Sequence, residues 1–185
     1  MEDGLEHRER ITFDPGVMDG NTCIRGMLVE LDDLLEGEAQ MPDHFEEVTV
    51  DLANQKVQFK GVSKANSENP IIFDFAPPIG DGKGYNGLEL LLMSLAGCSG
   101  TTIVYLLRNM GKNISGLKVK AKGSRRDQPP IKFEKISLMF ILNSNDVIDT
   151  DIQKAIQLAE KSVCPVWQMI KGNADVVAEF EIIAD

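Results

Sequence analysis

Cysteine is scarce in this chain: Cys23, Cys98 and Cys164 are the three in 185 residues. Three thiols cannot build a disulfide scaffold, so each has to be explained by packing or by chemistry. Histidine is scarcer still, with His7 and His44 both near the N-terminus. A Cys–His dyad needs a histidine within hydrogen-bond reach of the nucleophile, so protease-like chemistry is disfavoured. The cysteines and His44 show no close-spaced pair such as CxxC, so no metal site is expected. Aromatic residues make up 6% of the chain, and no basic stripe with interleaved aromatics occurs. Nucleic acid is therefore not an expected partner. Met1 to Arg10 is almost wholly polar and has no apolar signal region, which points to a cytoplasmic, thiol-reducing setting.

What is present divides in two. Residues 1–44 hold 12 acidic against 3 basic residues, whereas residues 45–185 hold 17 against 16. The net charge of −10 is thus a property of an acidic N-terminal extension, residues 1–45, in which a short helix is expected around Met27 to Leu35. The remainder, 46–185, is near neutral and, in a chain 43% hydrophobic, can bury a core as one domain.

Leu88 to Leu107 carries a single charge, Glu89, over 20 residues, which is long enough to cross a bilayer. It also carries Ser94, Ser99, Thr101 and Thr102, and no other segment is comparably apolar. It reads as the buried central helix of a globular fold, with no membrane partner. Asn86 is its expected N-cap, Glu89 completes a capping box, and Gly111 ends it. Before it, Val48, Val50 and Leu52, then Val57 and Phe59, alternate as a hairpin, and Ile71 to Phe75 makes a third strand. Gly80 to Gly84 is glycine-rich but lacks the spacing of a phosphate loop, so it reads as a connector. After the helix come a strand with Lys118, Lys120 and Lys122 on one face, a turn with Arg125 and Arg126, and a strand from Ile131 to Leu142. A helix from about Val147 to Val163, a short helix from Cys164-Pro165 to Ile170, and a strand from Val176 to Ile183 close the chain. The order argues for an α+β domain built on antiparallel sheet.

Pro165 at a first helical position makes Cys164 the expected N-cap, where the helix terminus would favour thiolate. Cys98 lies among Ala96, Gly97 and Gly100, small residues that let another backbone approach. The bland reading of both is a small buried hydrophobe.

The run from Asn86 through Leu95-Ala96-Gly97-Cys98-Ser99, followed by Ser162-Val163-Cys164-Pro165-Val166, resembles the OsmC/Ohr family of osmotically inducible and organic hydroperoxide resistance proteins, and most of all its OsmC-like branch. The resemblance covers about residues 46–185. It implies an intertwined homodimer around central helices, with active sites at the interface and no cofactor. It further implies a thiol peroxidase in which Cys98 attacks a hydroperoxide, Cys164 closes a disulfide with it, and an external dithiol restores the pair. The N-cap reading taken alone points instead to Cys164 as the more acidic thiol. The family's activating arginine has no counterpart in 46–85, which contains no arginine. The cations left to stabilise a Cys98 thiolate are Lys56, Lys60, Arg125 and Arg126, with the arginines favoured because guanidinium keeps its charge when partly buried. Glu89, one position from the family's arginine-holding carboxylate, is the remaining candidate. Alternative roles are a non-enzymatic protein of the same fold, binding an apolar small molecule at the dimer interface, and a hydrolase or transferase using Cys164 alone.

Overall fold

The computed structural model of the chain describes residues 46–184. The acidic extension, its expected helix and Cys23 lie outside the described residues. Three strands come first: β1 (Val48–Leu52), β2 (Phe59–Ser63) and β3 (Asn66–Phe73), paired antiparallel in the order β1-β2-β3. The hairpin expected from the alternation of Val48, Val50 and Leu52 is there. β3 starts five residues earlier than Ile71, through a polar stretch whose pairing the apolar pattern could not signal. The register places Val50, Gly61 and Ile71 on one row and Leu52, Phe59 and Phe73 on the next. One face of this small sheet is thus apolar. It is also open: Val48 is 68% exposed, Leu52 59% and Ile71 47%.

The long helix α1 (Gly87–Asn109) begins and ends where its signals predict. The Asn86 side chain accepts the amides of Leu88 and Glu89, and the Glu89 carboxylate accepts the Asn86 amide at 2.8 Å. Gly111, at φ +78°, takes the left-handed conformation after the last turn, which residues with a Cβ avoid.

The second sheet holds β4 (Gly116–Arg125), β5 (Phe133–Asn143) and β6 (Asp175–Ile183) in that order. Between β5 and β6 run α2 (Asp149–Leu158), a π-turn over Ala159–Val163, and α3 (Pro165–Ile170). Here the expectation of purely antiparallel sheet needs correction, because β5 and β6 pair parallel. The helices between them return the chain to the end of the sheet where β5 began, which is the crossover a parallel neighbour requires.

The core lies on one face of this sheet. Leu117, Val119 and Ala121 of β4 face the same side as Leu142, Phe140 and Leu138 of β5. Leu95, Ile103 and Leu107 of α1, Ile152 and Ala155 of α2, and Trp167 of α3 are all buried. Lys118, Lys120 and Lys122 alternate onto the opposite, exposed face. α1 is long and apolar enough to cross a membrane, and seven of its residues are buried within this body.

Candidate active site: a buried dithiol

Pro165 sets the local geometry of Cys164. A residue preceding proline is pushed out of the helical region, and Cys164 is extended at φ −84°, ψ 108°. That turns its side chain back over the start of α3, where Sγ accepts the Trp167 amide at 3.4 Å. On the other side, the Cys164 amide donates to Ala159 five residues back, closing the π-turn. The extra residue held in that turn keeps Cys164 on the inward side of the chain that carries buried Ala159.

Opposite stands Cys98, on the face of α1 between buried Leu95 and Thr102. Small neighbours let the chain come close: a Cβ on Gly100 would lie 3.1 Å from a Val119 methyl. The result is two free thiols, with Cys164 Sγ 3.0 Å from Cys98 Sγ and donating to it. Cys164 is fully buried and Cys98 partly exposed. Sixty-six residues of sequence separate them. A disulfide needs sulfurs about 2.05 Å apart, so closure requires a small movement.

The electrostatics of Cys164 run against its N-cap position. Burial pushes the thiol up to about 11, the neighbouring Cys98 thiol adds to this, and the amides of Trp167 and Val166 oppose it without prevailing. The expectation of an easily ionised Cys164 is therefore corrected: desolvation of a fully buried sulfur outweighs two backbone donors. Burial thus keeps Cys164 protonated at neutral pH, and the partly exposed Cys98 is the sulfur that a reagent reaches.

The charged candidates lie elsewhere in the chain. Arg125 ends β4 and is exposed, six residues beyond the Val119 that underlies Gly100, or roughly 20 Å along the strand. Arg126 follows and shares a surface groove with Lys132, Glu134 and Asp175. Lys60, on β2, is exposed and paired in register with Asp51 and Ile72. Lys56 is ion-paired with Asp81 at 2.5 Å. Glu89 is occupied in the capping box. None of these five side chains hydrogen-bonds to either sulfur within the described chain.

Sequence reasoning missed Asp74. Its buried carboxylate accepts the amides of Phe75 (2.8 Å), Asp81 (3.2 Å) and Lys83 (3.0 Å). Those donors, the Lys83 amide foremost, hold it below the usual carboxylate range. The glycine-rich loop thus folds around an internal anion, which is why it is a connector and not a phosphate cradle. A Cβ on Gly80 would collide with Asp74 Oδ1 and the Phe75 carbonyl, so the approach demands glycine. The signal available was a lone acid at a strand end just before a glycine cluster. The π-turn left no such signal, because apolar Val163 stands four residues after Ala159 and continues the ordinary helical spacing.

A helix-borne thiol facing a buried, protonated thiol across an α+β core defines a two-cysteine thiol protein. Its residues 80–179 match the OsmC-like protein family, and the chain belongs to that family. Among curated relatives, protein YhfA of Escherichia coli K12 is 28% identical over 102 residues, spanning 55% of this chain and 76% of YhfA. Among solved structures, an OsmC-like protein from Mycoplasma pneumoniae superposes with TM-score 0.65 at 22% identity, over 76% of this chain and 99% of that one. The organic hydroperoxide resistance protein OhrB of Bacillus subtilis superposes with TM-score 0.54 at 18% identity, over 74% and 98%. At these identities the two structures establish the shared fold.

Proposed function

We propose that this protein is a cysteine-based hydroperoxide reductase that works as a homodimer and needs no cofactor. Cys98 attacks the terminal oxygen of a hydroperoxide, the O–O bond breaks, and Cys98 becomes a sulfenic acid while an alcohol departs. The Cys164 sulfur then attacks that sulfenic sulfur, forming a Cys98–Cys164 disulfide and releasing water. An external dithiol takes up the oxidation by exchange and returns both thiols. Both sulfurs must start reduced, which suits a thiol-reducing compartment such as the cytoplasm.

The observation that carries this reading is the 3.0 Å separation of the two free sulfurs, one reachable and one buried. The open apolar face of the β1-β2-β3 sheet supports the dimer, since Val48, Val50, Leu52, Phe59 and Ile71 need a cover that a second copy of this chain supplies. Such a partner would also bring its own strand-borne cations towards the site. Residues 1–45 would then be an extension outside the peroxidase domain.

The test is peptide mapping of non-reduced protein after one equivalent of tert-butyl hydroperoxide. A Cys98–Cys164 linkage with peroxide consumed in equal amount is expected. Thiols left untouched at both positions, or linkages confined to Cys23, would remove the enzymatic reading and leave a binding role for the fold.

A further inference from the structure

We infer that Cys164 has a role before it closes the disulfide: its thiol is the proton donor to the alkoxide that leaves when Cys98 attacks a hydroperoxide. This rests on the reductase reading. Cleavage of an alkyl hydroperoxide by a thiolate releases an alkoxide, a poor leaving group unless a proton reaches it as the O–O bond breaks. General acids at such positions are worth about 10²–10⁴ in rate.

The described residues offer few sources for that proton. Both histidines fall outside them. Glu89 is held by the Asn86 amide and Lys56 by Asp81. Glu160 and Lys171, next to the π-turn and α3, are paired with each other at 3.8 Å. Lys118, Lys120 and Lys122 of β4 point away from α1, and α3 itself carries no charged residue. What stands at the reacting sulfur is Cys164, its S–H directed at Cys98 Sγ across 3.0 Å. The Trp167 amide engages a lone pair of Cys164 Sγ at 3.4 Å, which holds that sulfur beside Cys98. Burial keeps that proton in place at neutral pH, with the thiol pushed up to about 11, so it is released only to a stronger base. A nascent alkoxide is such a base.

The steps balance. The Cys98 thiolate forms an S–O bond to the terminal hydroperoxide oxygen, the O–O bond breaks, and the Cys164 proton goes to the alkoxide, which leaves as alcohol. Cys98 is now a sulfenic acid and Cys164 a thiolate, still held by the Trp167 amide. That thiolate attacks the sulfenic sulfur, the S–S bond forms, and hydroxide leaves. Donating the proton thus creates the nucleophile that the next step requires, at the place where it is required. Two reducing equivalents pass from the thiols to the peroxide, with no other reactant.

The experiment compares two oxidants in single-turnover oxidation of Cys98, followed by sulfenic acid trapping and mass spectrometry in a Cys23→Ser background. The oxidants are tert-butyl hydroperoxide, whose alkoxide needs a proton, and peracetic acid, whose carboxylate needs none. In Cys164→Ala, the alkyl hydroperoxide reaction is expected to slow roughly 10-fold or more, with the peracid reaction within about 3-fold of the parent. Cys164→Ser keeps an acceptor for the Trp167 amide but replaces the thiol by a far weaker acid, and the same selective loss is expected. Equal effects on both oxidants, whether no change or a common slowing, overturn the proposal, because a purely structural or purely resolving Cys164 does not distinguish leaving groups. A parent protein inert to both oxidants takes down the reductase reading itself, a different result.

Discussion

The amide of Cys164 donates to the carbonyl of Ala159, five residues back, at 3.1 Å. An α-helical turn would have used the residue four back, so this bond marks one extra residue between α2 and α3. That residue sets where the sulfur lies relative to α1, and a site of this kind tolerates little displacement. Deleting exposed Lys161 is expected to restore an α-helical turn and to slow disulfide closure roughly 10-fold or more. Lys161→Ala, which keeps the residue count, should close at the parent rate. Alkylation of Cys98 should be alike in both, and rapid quench with peptide mapping separates the two rates.

Cys164 should resist alkylation in the native protein. With its thiol pushed up to about 11, iodoacetamide at pH 8 is expected to modify Cys98 first and to reach Cys164 only after denaturation. Mass spectrometry of timed samples checks the order, and prompt labelling of Cys164 would contradict its burial.

The same shift makes stability depend on pH. A thiol whose value rises on folding from 9.0 to about 11 favours the folded state fully below pH 9, and this contribution is lost as pH rises towards 11. Urea midpoints of parent and Cys164→Ala should therefore converge between pH 8 and pH 10.5. At pH 8 the variant should be less stable by on the order of 1 kcal/mol. A gap that stays constant over that range would mean that the thiol is not desolvated.

Assembly can be tested through the first sheet. Val50, 47% exposed, sits in the middle strand position of β1 on the open apolar face. Light scattering should show twice the chain mass at high salt, since burial of apolar surface is little screened. Val50→Asp should shift the protein towards monomer or reduce its solubility. A parent protein monomeric at micromolar concentration would contradict the dimer.

Asp74 gives a prediction of opposite sign. Its carboxyl is held below the usual value of 3.8, so the order it imposes is present above that pH and is lost as pH falls through its folded value. Asp74→Ala should speed hydrogen exchange at the Asp81 and Lys83 amides roughly 10-fold or more at neutral pH. Exchange unchanged at both amides would show that the loop is ordered by other means.

Much of this protein could be read from neighbours in sequence. Asn86 and Glu89 announce the start of α1 because a cap is a contact over three residues, and Gly111 announces its end for a similar reason. The alternation in β4 identified its exposed, lysine-bearing face, since side chains one apart point to opposite sides of a strand. Pro165 placed Cys164 at a helix start through a clash between adjacent residues. Residue pattern alone said that two thiols needed explaining, and only the family resemblance paired them.

Tertiary structure decided the rest, wherever the outcome depends on what arrives from far along the chain. The parallel pairing of β6 with β5 depends on how intervening helices cross the sheet. The acidity of Cys164 looked favourable locally and was reversed by burial, because desolvation is a property of every atom around the sulfur and not of the turn that bears it. The approach of Cys164 to Cys98 depends on one extra residue in a π-turn and on the packing of α1 against β4, where Gly100 lies close to Val119. Local propensity determined which elements form, and packing determined which two sulfurs meet.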